Sequence, residues 1–226
     1  MKIGIIGSGN MGRTLGLLWA AQGHNVFFGT RSKSNIEYIN SMVDAPVVSG
    51  TLLEAVSFGE VLLYNLRDTL PTDVLPKDVW KGKIIIDPNN GEVPSDFNYP
   101  PVLESYSERY QRDLPESFVV KAFNTLSQEL YYLPLEVIRQ HQVAGFISGD
   151  DFSAKDKVSI LVKDSGLVPV DCGTLRQSGK LLESFADFVR LLMINSQMGA
   201  TLGFSATTLP SPITAPFGVR QPTKYK

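Results

Sequence analysis

Short runs of consecutive apolar residues recur along most of the chain and predict the strands of a buried sheet. Strands that helices cover on both faces are apolar at successive positions, whereas half-exposed strands alternate. The predicted strands are Lys2–Ile6, Val26–Phe28, Pro46–Val48, Val61–Leu66, Lys83–Asp87, Phe118–Phe123, Val143–Ser148 and Leu167–Asp171.

Helical spacing of apolar residues lies between several of these runs. Met11, Leu15, Leu18 and Trp19 share one face of a first helix, which Gly23 is expected to end. The same spacing occurs in 154–163 and 178–202, and a short helix is predicted over 106–112. Strands that alternate with helices predict an α/β fold, a Rossmann-like, doubly wound and mostly parallel sheet. A long C-terminal helix, Leu181–Phe204, is expected to follow it.

The length of 226 residues suits one sizeable domain. We expect a dinucleotide-binding domain over 1–204, followed by a tail over 205–226 that has four prolines and no periodicity. The segment from Pro88 to Pro115 holds five prolines and breaks the alternation, so it predicts a long and functional loop.

Composition excludes several classes of partner. The 21 Lys and Arg residues are balanced by 23 Asp and Glu residues, which leaves no excess of positive charge for a nucleic acid. Cys172 is the single cysteine, which fits a reducing compartment and offers no cysteine-based metal cluster. The N-terminus lacks a signal-peptide pattern, and charges interrupt the most apolar stretch, so we expect a soluble cytoplasmic protein outside the membrane.

A glycine-rich turn stands between the first predicted strand and the first predicted helix. It reads Gly7-Ser8-Gly9-Asn10-Met11-Gly12. In a dinucleotide-binding fingerprint the first glycine allows the tight turn, the second lets the backbone approach a pyrophosphate, and the third lets helix and strand pack closely. Helix-end amides and the helix dipole would then hold the negative charge.

The residues that follow the second predicted strand indicate which dinucleotide binds. Enzymes that use NAD place an acidic residue near this point to bind the ribose hydroxyls. This chain instead has Thr30, Arg31, Ser32 and Lys33 there. A guanidinium can clamp a 2′-phosphate, with the hydroxyls and the lysine as further donors, so the pattern predicts NADP(H).

Residues at three further strand ends are candidates for a nicotinamide pocket. The carboxyl ends of parallel strands meet at one edge of the sheet, where ligands of this architecture bind. The candidates are Leu66, Arg67, Asn89, Ala122 and Asn124. Each asparagine could equally cap a helix or hold a turn. Motifs for nucleophilic hydrolysis or for a zinc site are not found in the sequence, so we expect no resident metal.

Several of these motifs together resemble the deazaflavin (coenzyme F420)-dependent NADP reductase family. The resemblance rests on residues 7–12, 29–32 and 119–125, on Gly149-Asp150-Asp151 and on residues 167–173. Lys121-Ala122-Phe123-Asn124 is its most specific part. The same succession is similar to the cytosolic NADPH domain of the six-transmembrane epithelial antigen of prostate metalloreductases, whose haem-bearing membrane domain has no counterpart among these 226 residues.

The resemblance implies a direct transfer of hydride between NADP(H) and a flavin-like co-substrate. Deazaflavin is the default acceptor, and FMN, FAD or a metal complex reduced through a flavin are alternatives. No catalytic acid or base is then expected, because the two ring systems carry the chemistry. Leu66, Arg67, Asn89 and Asn124 would line the shared pocket, and the last helix would close it or form a homodimer contact.

Two other functions remain open at this point. The Gly-Asn-Met-Gly turn also resembles pyrroline-5-carboxylate reductase, which needs a longer helical dimer domain than this chain offers. A sensor that binds NADPH without turnover and signals through its tail is the second alternative.

Overall fold

A computed structural model describes residues 1–30, 48–195 and 198–207. Eight strands lie in these residues, and seven of them coincide closely with the predicted apolar runs. They are β1 (Lys2–Ile6), β2 (Asn25–Gly29), β3 (Val48–Gly50), β4 (Val61–Tyr64), β5 (Ile84–Asp87), β6 (Phe118–Ala122), β7 (Ala144–Gly149) and β8 (Val168–Asp171). The predicted strand Pro46–Val48 falls mostly outside the described residues.

The eight strands form one sheet in the order β3-β2-β1-β4-β5-β6-β7-β8. All neighbours are parallel except β6 and β7, which pair Val120 with Gly149 in antiparallel register. The order reverses at β1, whose neighbours are β2 and β4. The predicted Rossmann-like, mostly parallel fold is thereby confirmed. The reversal opens a crevice at the carboxyl edge, between the glycine turn and the ends of β4, β5 and β6.

Helices cover both faces of the sheet, as the consecutive apolar strands require. They are α1 (Asn10–Ala21), α2 (Leu52–Phe58), α3 (Pro71–Val74), α4 (Tyr106–Asp113), α5 (Leu135–Gln140), α6 (Phe152–Asp164) and α7 (Lys180–Asn195). Trp19 of α1 is fully buried on one face, and Trp80 is fully buried on the other. None of the described helices has the length and apolarity that a membrane span needs.

The long C-terminal helix is present, but its predicted end at Phe204 is wrong. A π-helical segment, Leu175–Gly179, leads into α7, which ends at Asn195. Gly199 has a φ of +73°, and residues 198–207 are not helical. Their apolar side chains pack from an irregular segment instead, since Ala144 N donates to Phe204 O at 2.6 Å and the Phe204 ring lies 5.0 Å from that of Phe185.

Candidate functional site

The turn between β1 and α1 has the geometry that its three glycines predict. Gly7 has a φ of +99°, a conformation that favours glycine. A Cβ at Gly12 would lie 2.2 Å from Gly7 O, so helix and turn can approach this closely only without a side chain. A Cβ at Gly9 would meet nothing nearer than Asn65 Nδ2 at 3.6 Å. Gly9 therefore borders open space, whereas the fold itself requires glycine at Gly7 and Gly12.

The N-terminus of α1 can accept an anion. Gly9 is its N-cap residue, no side chain caps it, and its first turn contains no acidic residue. The amides and dipole of a 12-residue helix are therefore directed at the space beside Gly9 without a competing carboxylate. These residues fit a dinucleotide pyrophosphate, and Ser8 and Asn10 stand beside the same turn.

A cavity of about 570 Å³ opens next to this turn at the carboxyl edge of the sheet. The glycine turn, the strand ends, the segment after β6 and α7 all contribute to its wall. Its lining is Met11, Asn65, Arg67, Pro88, Asn89, Asn90, Phe123, Asn124, Thr125, Leu126, Ser127, Gln128, Glu129, Ala186, Val189, Arg190 and Met193. The volume is within the range of pockets that bind small ligands.

Apart from Gly7 to Asn10 and Gly12, which form the turn described above, the predicted site residues divide into three groups in the structure. Met11, Arg67, Asn89 and Asn124 line the cavity. Three predicted residues lie elsewhere. Leu66 packs beside Gly7, and Ala122 is buried in the core. The Thr30 N–H donates to Gly50 O at 3.0 Å. Arg31, Ser32 and Lys33 lie outside the described residues.

Two asparagines of neighbouring strand ends fix each other across the cavity wall. Asn90 Nδ2 donates to Asn124 O at 2.6 Å, and Asn124 Nδ2 donates to Asn90 Oδ1 at 2.9 Å and to Leu182 O at 3.0 Å. Asn124 O and Leu182 O are backbone oxygens that only accept hydrogen bonds, so the atoms that contact them must be the Nδ2 atoms of Asn90 and Asn124. Phe123, which immediately precedes Asn124, has a φ of +64°. This backbone conformation is uncommon for a residue other than glycine and often occurs at functional sites.

A fully buried lysine supports these strand ends from below. Lys121 Nζ lies 3.0 Å from Asp87 Oδ2 and 2.7 Å from Glu183 Oε1, and it donates to Asn89 O at 2.9 Å. Asp87 Oδ1 also accepts from Asn89 N and Asn89 Nδ2. The ammonium thus connects β5, β6 and α7, and it holds Asn89 at the cavity.

Glu183 is the member of this network that belongs to α7. It accepts a hydrogen bond from Tyr106 N at 2.7 Å. Burial raises the pKa of its carboxyl, although Lys121 opposes this effect. Ala186, Val189, Arg190 and Met193, which follow within three turns of the helix, form the α7 side of the cavity. The position of that wall therefore depends on the buried ion pair.

Arg67 lies at the rim of the cavity and is paired with its neighbour. Arg67 Nε lies 3.2 Å from Asp68 Oδ2, and the other oxygen of Asp68 accepts a hydrogen bond from the Tyr106 hydroxyl. Burial, with the contribution of Asp68, raises the pKa of Tyr106 to about 12, so its hydroxyl stays protonated and donates. Asp68 has a φ of +63°.

Sequence reasoning missed Asn65 and the role of Lys121 as a buried support, and it expected the last helix at the pocket without naming the residues that line it. Asn65 follows β4 directly, so the strand-end rule that selected Leu66 and Arg67 could have found it. Nothing in a single sequence shows that Lys121 is buried, because its ion-pair partners are 34 and 62 positions away.

Comparisons with known proteins agree with this architecture. Residues 2–91 match the family model described as NADP oxidoreductase coenzyme F420-dependent. Metalloreductase STEAP3 of Rattus norvegicus is 30% identical over 177 residues, which are 77% of this chain and 34% of that protein. Metalloreductase STEAP2 of Mus musculus is 29% identical over 187 residues, or 81% of this chain and 35% of that protein. The chain spans about a third of the length of these relatives.

A solved structure extends the likeness beyond the matched N-terminal residues. A candidate F420-dependent NADP-reductase from Arthrobacter sp. FB24 is 25% identical, with a TM-score of 0.72, and the match covers 92% of this chain and 100% of that one. The resemblance found in the sequence is confirmed: this chain is similar to NADP oxidoreductases of the coenzyme F420-dependent family and to the STEAP metalloreductases.

Proposed function

We propose that this protein is an NADPH-dependent reductase that transfers hydride to a flavin-like acceptor. The observation that carries the proposal is the cavity at the switch point of the sheet, directly beside a glycine turn with an uncapped helix N-terminus. A dinucleotide whose pyrophosphate lies at Gly9 would extend toward the asparagine-lined wall. The cavity is large enough for two stacked rings.

In this proposal the chain binds and orients while the rings react. Gly7 to Gly12 would hold the pyrophosphate, and Thr30, Arg31, Ser32 and Lys33 would hold the 2′-phosphate. Asn89, Asn90 and Asn124 would border the nicotinamide end. The names of the matched family and of the Arthrobacter protein support NADP and coenzyme F420 as the reacting pair. FMN, FAD or a metal complex reduced through a flavin would suit the same arrangement.

An anaerobic assay tests this proposal. NADPH oxidation would be followed with deazaflavin, FMN, FAD, a ferric chelate and pyrroline-5-carboxylate as acceptors, and NADH would be the control donor. We expect turnover with deazaflavin or a flavin and a strong preference for NADPH. Turnover only with pyrroline-5-carboxylate would instead assign imine reduction. Tight NADPH binding without turnover would indicate a sensor.

The same proposal includes a homodimer that forms through α7. Leu181 and Phe188 are seven positions apart, which places them on one face of the helix, and both are exposed. An exposed apolar stripe of this kind suits a contact with a second copy. Light scattering should give twice the mass of the chain, and Phe188→Glu should lower that value. A monomer at high concentration would contradict the dimer.

A further inference from the structure

Arg190 places a guanidinium group in the cavity wall, and the binding roles proposed above do not include it. Its Nη1 donates to Gly91 O and to Asp187 Oδ1, each at 2.9 Å. The first bond links α7 to Gly91, which follows the two asparagines after β5. The second bond is accepted by Asp187, one turn earlier in α7. The side chain is therefore held in place from two directions.

Charge is unevenly distributed over the cavity wall. Among the described lining residues, Arg67 and Arg190 are cations and Glu129 is the carboxylate. Asp187 lies outside this lining and instead borders an adjoining cavity of about 680 Å³ beneath the proline-rich segment 91–104. The cavity wall thus contains two guanidinium groups and one carboxylate, while Asp187, which orients Arg190, borders the second cavity.

The two guanidinium groups differ in how far water can screen them. The Arg190 side chain is 23% exposed and Asp187 is 14% exposed, whereas Arg67 is 46% exposed and its partner Asp68 is 49% exposed. A charge with less water around it interacts more strongly with a bound ligand, because the effective dielectric constant is lower. Arg190 is therefore the stronger candidate for an electrostatic role.

Hydride transfer to a flavin-like ring creates the charge that such a group would stabilise. The C4–H bond of NADPH breaks, and a new bond forms at N5 of a flavin or at C5 of a deazaflavin. One hydrogen and two electrons move, so NADP⁺ and a reduced ring with one negative charge result. That ring is neutralised only when it takes a proton from solvent. A cation fixed in advance near the ring lowers the barrier of this step.

We propose that Arg190 is the cation that contacts the acceptor and stabilises the negative charge that hydride transfer leaves on its ring. Asp187 and Gly91 O are positioning groups for this guanidinium. The proposal rests on the proposed function and adds a catalytic residue to it, which the glycine turn and the asparagines do not provide.

Single-turnover measurements on the whole chain test this role. Enzyme loaded with NADPH would be mixed anaerobically with FMN, or with the panel acceptor that the wild type reduces fastest, and the rate of hydride transfer would be recorded. Arg190→Met keeps a stem of similar length but removes the charge, and we expect it to lower this rate about 100-fold. The dissociation constant of NADPH, measured by calorimetry, should change by less than about twofold.

Three further variants separate charge from structure. Arg190→Lys should recover part of the rate, because it restores the charge without the planar donor group. Asp187→Asn should lower the rate less than Arg190→Met does, because the cation remains but is held less firmly. Arg67→Met tests the other guanidinium of the same cavity, and we expect it to lower the rate less than tenfold, since water already screens that cation.

Each possible result decides the matter. An unchanged rate in Arg190→Met, or an equal loss in the Lys and Met variants, would overturn the role of Arg190 while the proposed function stands. A parallel loss of NADPH affinity in Arg190→Met would show that the residue binds the cofactor rather than the acceptor charge. If the wild type reduces no flavin-like acceptor, the proposed function fails and the role of Arg190 fails with it.

Discussion

The glycine turn after β1 and the strand ends of β5 and β6 lie at the same edge of the sheet. Backbone conformation determines the shape of the turn, whereas side-chain contacts determine the shape of the strand ends. Backbone shapes the turn, where Gly7 takes a positive φ and Gly12 leaves no room for a Cβ. Side chains shape the strand ends, where Asn90 and Asn124 bond each other above a buried lysine. A turn of the first kind depends on neighbours in sequence, whereas a wall of the second kind depends on the whole fold.

Substitution of the buried lysine should have the largest effect on stability. Lys121→Met would leave Asp87 and Glu183 buried without their cation, so we expect a loss of about 3–5 kcal/mol in the free energy of unfolding. Lys157→Met is the matched control, because Lys157 pairs with Glu60 at the surface. That change should cost less than about 1 kcal/mol. Equal losses in urea denaturation would show that the buried network does not support the strand ends.

Two glycines of the turn should separate binding from folding. Gly9→Val places its side chain in open space, so we expect NADPH affinity to fall at least about 100-fold, or about 2.7 kcal/mol, while stability changes by less than about 1 kcal/mol. Gly12→Val meets Gly7 O and should cost about 3 kcal/mol of stability or more. Calorimetry and thermal melts measure both quantities. Tight NADPH binding by Gly9→Val would remove the turn from the site.

Among the four residues proposed to hold the 2′-phosphate, Arg31 should contribute most to cofactor selectivity. Arg31→Asp removes the proposed clamp for the 2′-phosphate, so we expect NADPH binding to weaken by at least about 2 kcal/mol. NADH lacks that phosphate and should bind with nearly unchanged affinity. Titrations with both cofactors check this prediction. An equal loss for NADPH and NADH would contradict the selectivity argument.

The smallest expected effect comes from an ion pair between α6 and β8, whose residues do not line the cavity. Lys155 lies 2.8 Å from Asp171 Oδ2, and this contact together with the Gly173 amide lowers the pKa of Asp171, although partial burial opposes the shift. Because the folded-state pKa is lowered, the pair stabilises the protein above the pKa of the unfolded state and is lost as the pH falls through the folded value. Asp171 is half exposed, so Asp171→Asn should cost less than about 1 kcal/mol at pH 7. The difference from wild type should vanish in strong acid.

Much of the fold could be predicted because each strand is specified locally. Lys2–Ile6 was predicted with its observed bounds, and the Gly23 stop agrees with a φ of +85° immediately after α1. The end of the last helix was predicted wrongly, because apolar residues after 198 continue the helical spacing while they pack from an irregular segment. Spacing reports which residues are buried, and it does not show the backbone conformation that buries them.

The candidate site could be predicted only in part for a related reason. The strand-end rule found Arg67, Asn89 and Asn124 at the cavity, but it also selected Leu66 and Ala122, which lie elsewhere. A strand end is a position in the chain, whereas the direction of its side chain depends on the local turn. Phe123, for example, has a positive φ just after β6, which redirects the chain before Asn124.

The alternation of strands and helices, the glycine turn and the basic residues that follow the second strand can all be read from the amino-acid sequence. These features depend on residues within a few positions of one another, where sterics and periodicity are decisive. The folded structure was needed to show that Lys121 is buried between Asp87 and Glu183, that Asn90 and Asn124 bond each other, and that Arg190 lines the cavity. Such contacts join residues 30 to 100 positions apart, and their energies depend on burial, which exists only once the chain has folded.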